Sequence, residues 1–266
     1  MEFLKLVRRR SFLSEAVYMF LNVGLAIALL VVIYYTESIA LAIALVAISK
    51  WRVLAVRPRY WLANLRSNLI DFIVSISVVL HMYTINMAGI EEGRKLVILG
   101  ILTALYIVWL LVLKPRSKRS YVAAQAGVAV LLGTAALFTI SYAWPVSIVV
   151  IGMWVIGYAA ARHVLSTYDD ETHALFLSLA WGVAIAEIGW VAYHWAIAYS
   201  LPFVTSLQVP QVAIITLLLG FVGFKAYDSF YHNQKIRTND IILPLLFTIS
   251  VIAVLVLVFN RVGTAL

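Results

Sequence analysis

Leu96-Val-Ile-Leu-Gly-Ile-Leu-Thr-Ala-Leu-Tyr106-Ile-Val-Trp109-Leu-Leu-Val-Leu113 contains no charged residue, and it is bracketed by Arg94 and Lys95 before it and Lys114 after it. As an α-helix rising 1.5 Å per residue, this run is about 27 Å long. That is close to the roughly 30 Å of hydrocarbon in a bilayer. A helix that is apolar all round has no polar face to turn toward water. The run therefore predicts a transmembrane helix.

Runs of the same kind recur along the chain, at roughly 13–35, 37–51, 67–88, 96–113, 121–140, 143–163, 172–199, 210–227 and 241–260. They are continuous rather than alternating, which excludes a β-barrel. The expected fold is all-α: one polytopic transmembrane helix bundle spanning 1–266, with about nine spans. The second run, Glu37 to Trp51, is the shortest. It crosses if Glu37 and Lys50 snorkel, or it forms a re-entrant hairpin with the first.

Composition agrees with lipid as the main solvent. Of 266 residues, 64% are hydrophobic and 12% charged, and mean hydropathy is +0.99. Soluble domains average about 25% charged residues. There is no cysteine, which removes disulfides, thiolate metal sites and cysteine nucleophiles. The basic start Lys5, Arg8, Arg9, Arg10 precedes an apolar run too long for a signal-peptide core, so it reads as a retained first helix.

The net charge of +8 does not point to nucleic acid, because the basic residues are distributed among loops. Nine spans with the N-terminus inside place 17 of the 20 Lys and Arg residues on the inner side. Only Arg94, Lys95 and Arg261 fall outside. The positive-inside rule then sets N-terminus in and C-terminus out, and the expected location is a prokaryotic-type plasma membrane. Merging the first two runs would move the following Arg-rich loop outside and spoil this asymmetry.

That loop, 52–66, is the longest. Its Arg57, Arg59, Tyr60, Trp61 and Arg66 have the composition of an interfacial segment at headgroup level. Two readings stand for it, a topogenic anchor or a contact for anionic lipid headgroups or another membrane protein.

An ionisable group deep in a span is the strongest functional signal, since a charge at the bilayer centre costs at least about 2.5–3.5 kcal/mol. Among the twelve acids only Glu187 lies near the middle of a run. At 3.6 residues per turn it shares a face with Val183, Ala184, Trp190, Val191 and His194. Small residues on that face predict that it points into the bundle. Glu187 then reads either as a proton- or cation-coupling acid, with His194, Trp190 and His81 lining a path, or as hydrogen-bonded glue between helices. No span is broken at mid-length by proline, unlike many transporters.

A second polar group, Asp169, Asp170, Glu171 and His173, precedes the seventh span. It reads as helix capping, as ligands for a divalent cation if another loop contributes, or as part of an inner-face site on a lipid headgroup. Asp71, near the inner end of the third span, is expected to pair with Arg66. Gln125 and Asn22 are expected as interhelical hydrogen-bond donors, and Gly152, Gly157, Gly220 and Gly223 as points of close helix packing.

No HExxH, GxSxG, Walker A or CxxC motif is present. No Lys sits at mid-span for a retinal Schiff base, and no Arg ladder suggests a voltage sensor. No cofactor or metal is expected. Three functions remain: a non-enzymatic membrane component that binds partner proteins or lipids, a secondary transporter using Glu187, and, weaker, a lipid-modifying enzyme using Asp169–His173.

Overall fold

The computed structural model describes residues 12–53, 55–195, 197–201 and 204–259. The basic residues Lys5, Arg8, Arg9, Arg10 and Arg261 lie outside them. The helices are α1 (Phe12–Thr36), α2 (Ile39–Ser49), α3 (Trp61–Ser67), α4 (Leu69–Met87), α5 (Glu92–Val108), α6 (Arg119–Ile140), α7 (Val146–Leu165), α8 (Ala174–His194), α9 (Gln211–Asn233) and α10 (Thr238–Leu257). A π-helical stretch, Trp109–Leu113, continues α5. Single 3₁₀ turns, Trp51–Val53 and Pro58–Tyr60, lie between α2 and α3.

Among the described residues, eight helices are long and apolar enough to cross a membrane. The ninth expected span, α2, has only 11 residues, or about 16 Å. It nevertheless carries the chain from one end of the bundle to the other. At its start, α1 ends beside the ends of α4 and α5: Asn86 donates to Ile33 O at 3.1 Å, and Tyr34 donates to Glu92 at 3.1 Å. At its finish, Lys50 bonds Asp71 in the first turn of α4. Asp71 and Asn86 are 15 residues apart on one helix, about 22 Å. The α1–α2 turn is made by Glu37, which takes a left-handed conformation (φ 51°), and Ser38, whose hydroxyl accepts from Leu41 N–H at 3.3 Å to cap α2.

α4 is the most enclosed of the spanning helices, packed against α1, α2, α5, α6 and α7. α10 is the least enclosed and packs chiefly on α9. α7 and α8 form the closest pair. Gly157 lies against Ile185, Gly182 against Trp154 and Gly189 against Met153, so the helices meet where side chains are absent. Gly152 and Gly223 mark similar approaches, to Leu137 and to the Trp181 ring, whereas Gly220 has no such neighbour.

Among the described residues the bundle is all-α apart from one short hairpin, and the expected extent of the seventh run is corrected between α8 and α9. The seventh run was expected to stay helical to residue 199; α8 instead ends at His194. An antiparallel hairpin follows, β1 (Ala198–Leu201) with β2 (Val204–Pro210), in register Ala198↔Pro210 and Tyr199↔Val209. Hydropathy alone does not separate a Val- and Thr-rich strand from a helix. Gln211 N–H donates to Ile197 O at 2.7 Å, and its side chain donates to the Tyr199 hydroxyl at 2.8 Å, tying the hairpin to the start of α9.

Candidate functional site

Three helix ends meet at Asp71. It lies in the first turn of α4, where a carboxylate complements the positive end of the helix dipole. Lys50 caps the C-terminus of α2 and Lys114 follows the π-helical end of α5, both positions that favour a cation. The two ammonium groups donate to the same oxygen, Oδ2; the Lys114 contact is 2.8 Å. Trp109 Nε1–H reaches Oδ1 at 3.4 Å. Asp71 and Lys50 are buried and Lys114 is about one-third exposed.

The surroundings hold this arrangement in place. Lys114 N–H bonds Trp109 O at 2.9 Å, an i→i+5 bond that widens the turn and directs both residues toward α4. Gln125 on α6 donates to Leu113 O at 2.7 Å and Arg116 O at 2.8 Å, satisfying carbonyls left open at the end of α5. His163 on α7 donates to Gln125 Oε1 at 2.7 Å. A polar track runs inward from Asp71: Tyr106 donates to Ser75 at 3.0 Å, and Ser75 donates to Asp71 O at 2.7 Å.

The expected Asp71–Arg66 pair is therefore corrected. α3 stops at Ser67 and Asn68 interrupts the helix, so Arg66 and Asp71 are not stacked on one continuous surface, and Arg66 is exposed. The partners come from residues 21 and 43 positions away, a distance that local spacing does not reveal.

The placement of Glu187 is corrected as well. The buried stripe of α8 is Ala174, Ser178, Gly182, Ile185, Ala186 and Gly189, the stripe that fits α7. Val183, Glu187, Trp190, Val191 and His194 occupy the opposite, exposed side; Val183 is 49% and Trp190 50% exposed. Three small residues, Gly182, Ala186 and Gly189, decide which face turns inward, and Glu187 is not on it.

Glu187 lines a shallow outward groove of about 370 Å³, with Val150, Ile151 and Trp154 from α7 and Val183, Ala186 and Trp190 from α8. Apart from Glu187, the groove offers no charged side chain. Among the described residues Glu187 has no hydrogen-bond or ion-pair partner. His194 packs its ring edge-on against Trp190, centroids 4.9 Å apart. His81 sits on α4, bonded through Nδ1 to Ser77 O at 2.7 Å, away from the groove.

The rim at the Asp71 end holds the remaining expected residues. Tyr168 is buried; it donates to Asp228 at 3.0 Å, and burial followed by that bond raises its pKa well above the usual range. Arg119 reaches Asp228 at 3.3 Å and lies 4.1 Å over the Tyr168 ring. Glu171 accepts from the Tyr227 hydroxyl and from His173 N–H, the latter at 2.6 Å. Asp169, Asp170 and the His173 side chain are exposed, and of these only the His173 imidazole lies close enough to Glu171 to act on its charge. Among the described residues no group of three His, Cys, Asp or Glu side chains is placed to hold a metal ion. In the loop after α2, Arg59 covers the Tyr60 ring at 4.6 Å and Trp61 Nε1–H donates to Val56 O at 3.0 Å, while Arg57 and Arg66 are exposed.

Sequence reasoning singled out Glu187 by depth and passed over Lys50, Asp71 and Lys114 because each lies at a helix end. The signal that does exist for them is one acid at a helix start with a cation at each of two helix ends. No family model matches the chain, and neither a curated protein nor a solved structure matches it.

Proposed function

We propose that the chain is a non-enzymatic, multi-pass membrane component, crossing nine times with its Asp71 end inside, that assembles laterally with another membrane protein through the α7–α8 groove. The reading is carried by Glu187, an acid two turns inside the C-terminal end of α8, on an outward face with apolar walls and with no partner among the described residues. Lipid chains donate no hydrogen bond, and a polar group left unsatisfied in hydrocarbon costs several kcal/mol. A membrane-spanning helix presenting a donor at the same depth removes that cost, and the groove between α7 and α8 accepts such a helix. The transporter reading loses support, because Glu187 and His81 belong to different faces of the bundle. The enzyme reading loses support, because Asp169 and Asp170 are exposed and, among the described residues, make no bond to a polar group of another segment.

A photo-reactive residue at Val183, compared with one at the outward Leu243 of α10, tests this in native membranes. The expected result is one discrete adduct from position 183, absent from position 243 and lost when Glu187→Leu is added. Equal adducts from both positions, or an adduct indifferent to Glu187→Leu, overturns it. An adduct of twice the chain's mass also overturns it, naming a second copy as the occupant.

A further inference from the structure

The Lys50–Asp71–Lys114 cluster has more positive than negative charge. Two ammonium groups share one carboxylate oxygen, and the other oxygen is taken by Trp109, so Asp71 offsets only one of them. Among the described residues no second carboxylate reaches either lysine. Lys50 is sealed in, with its remaining near neighbour the Phe72 ring, 5.4 Å from Nζ. Lys114 is the cluster's opening, 34% exposed, and it is not a loose surface lysine: the π-helical turn and the Gln125 bonds fix its backbone.

The depth of the cluster is marked by its own chain. The segment leaving Lys50 and returning to Asp71 carries exposed Trp51, Tyr60 and Trp61, residues that favour the headgroup layer. Arg57 and Arg59 lie on the same segment, and Arg116 and Lys118 follow Lys114. A buried charge excess at this level, opening through one pre-positioned cation, is complementary to a phosphate.

We infer that this cluster is a phosphate-binding site, with Lys114 as the contacting donor and Lys50 as the buried charge behind it. The phosphate of an anionic membrane lipid and free inorganic phosphate share this chemistry. Asp71 orients the two lysines and does not itself face the ligand. The inference is independent of the Glu187 groove, which lies on α7 and α8.

The test is lipid retention by the purified full chain, read by native mass spectrometry after exchange into mixed phosphatidylglycerol and phosphatidylcholine. Wild type is expected to prefer phosphatidylglycerol, and Lys114→Gln to lose at least about tenfold of that preference, as when a hydrogen bond to a charged group is removed. Lys114→Arg retains it, and Lys118→Gln, exposed on the following turn, loses no more than the roughly fivefold that any basic residue near the surface carries. In a parallel arm with phosphatidylcholine alone, stabilisation by millimolar inorganic phosphate that requires Lys114 assigns the site to the free ion. If Lys114→Gln matches wild type in both arms, the inference is overturned. Should that variant fail to fold, equal loss in Lys114→Arg and Lys118→Gln overturns it as well.

Discussion

Asp71 and Glu187 are two carboxylates on the bundle's helices, and it treats them in opposite ways. Asp71 is buried near a helix end and surrounded by donors from α2, α5 and the π-helical turn. Glu187 lies about two turns from the C-terminal end of α8 and has no partner among the described residues, on the side of α8 that faces away from the bundle. The difference teaches that depth along a helix and direction around it are separate properties. Asp71 is costly to the fold if its partners are lost, whereas Glu187 is costly only while its groove is empty. One carboxylate belongs to the architecture and the other to an assembly.

The largest expected effect follows from removing the first of the pair. Asp71→Leu leaves two cations without their shared counter-charge, and breaking a buried ion pair by removing one partner costs about 3–5 kcal/mol. Glu187→Leu in the isolated protein, where the groove is empty, is expected to lose no stability and to gain some, because it removes an unsatisfied polar group from an apolar surface. Thermal unfolding of both variants in the same detergent checks this. A Glu187→Leu loss as large as that of Asp71→Leu breaks the contrast.

Gln125→Leu comes next. It removes the donors that close the end of α5 and strands the Leu113 and Arg116 carbonyls, at about 1–3 kcal/mol for buried groups left unsatisfied. Because Lys114 follows this turn, the same variant is expected to weaken the coupling between Lys114 and Asp71 in a double-mutant cycle. Additivity of Gln125→Leu and Lys114→Gln breaks the claim that the clamp positions Lys114.

On the other side of the comparison, Gly157→Ala tests why Glu187 faces outward. A Cβ there would lie 2.7 Å from Ile185 Cβ, an atom that cannot swing away. A single added methyl sits at the low end of the over-packing range, about 1 kcal/mol. The expected readout is a drop in melting temperature together with altered accessibility of a cysteine placed at Val183; the chain's lack of cysteines makes that label unique. An unchanged variant means that α7 and α8 are not locked by this contact.

How far these features were legible in the sequence follows from the range of the interactions involved. Apolar runs are local, so the long apolar helices were readable, with ends displaced by up to six residues where polar residues continue a helix, as in α9 to Asn233. Gln125 was readable as an interhelical donor because a buried amide must find partners. The inward face of α8 was misread because Ala184 and Val183 were weighed, while Gly182, Ala186 and Gly189, spaced to let α7 approach, were not. The hairpin at 198–210 falls mostly in the gap between the runs ending at 199 and beginning at 210, where hydropathy says nothing about backbone direction. Lys50 and Lys114 were assigned to topology alone, because their convergence on Asp71 depends on how α2, α4 and α5 pack.

The smallest expected effect concerns Glu171, the one acid of the Asp169–Glu171 group held by a defined bond. The Tyr227 hydroxyl lowers its pKa most, and the His173 backbone N–H and imidazole lower it further against the opposing effect of partial burial. The folded value thus lies below the ordinary glutamate value of about 4.3. A depressed carboxylate contributes stability that is fully present above the unfolded value and is lost as pH falls through the folded one. Wild type is therefore expected to exceed Glu171→Gln in melting temperature at neutral pH, with the gap closing below about pH 4. Glutamine keeps an oxygen for Tyr227 to donate to, so the gap reports the charge of the acceptor rather than the bond as such. A gap that persists unchanged to the lowest pH would show that Glu171 acts through its shape. It would also place Glu171 with Asp71 as an architectural residue rather than as a rim charge answering to solvent.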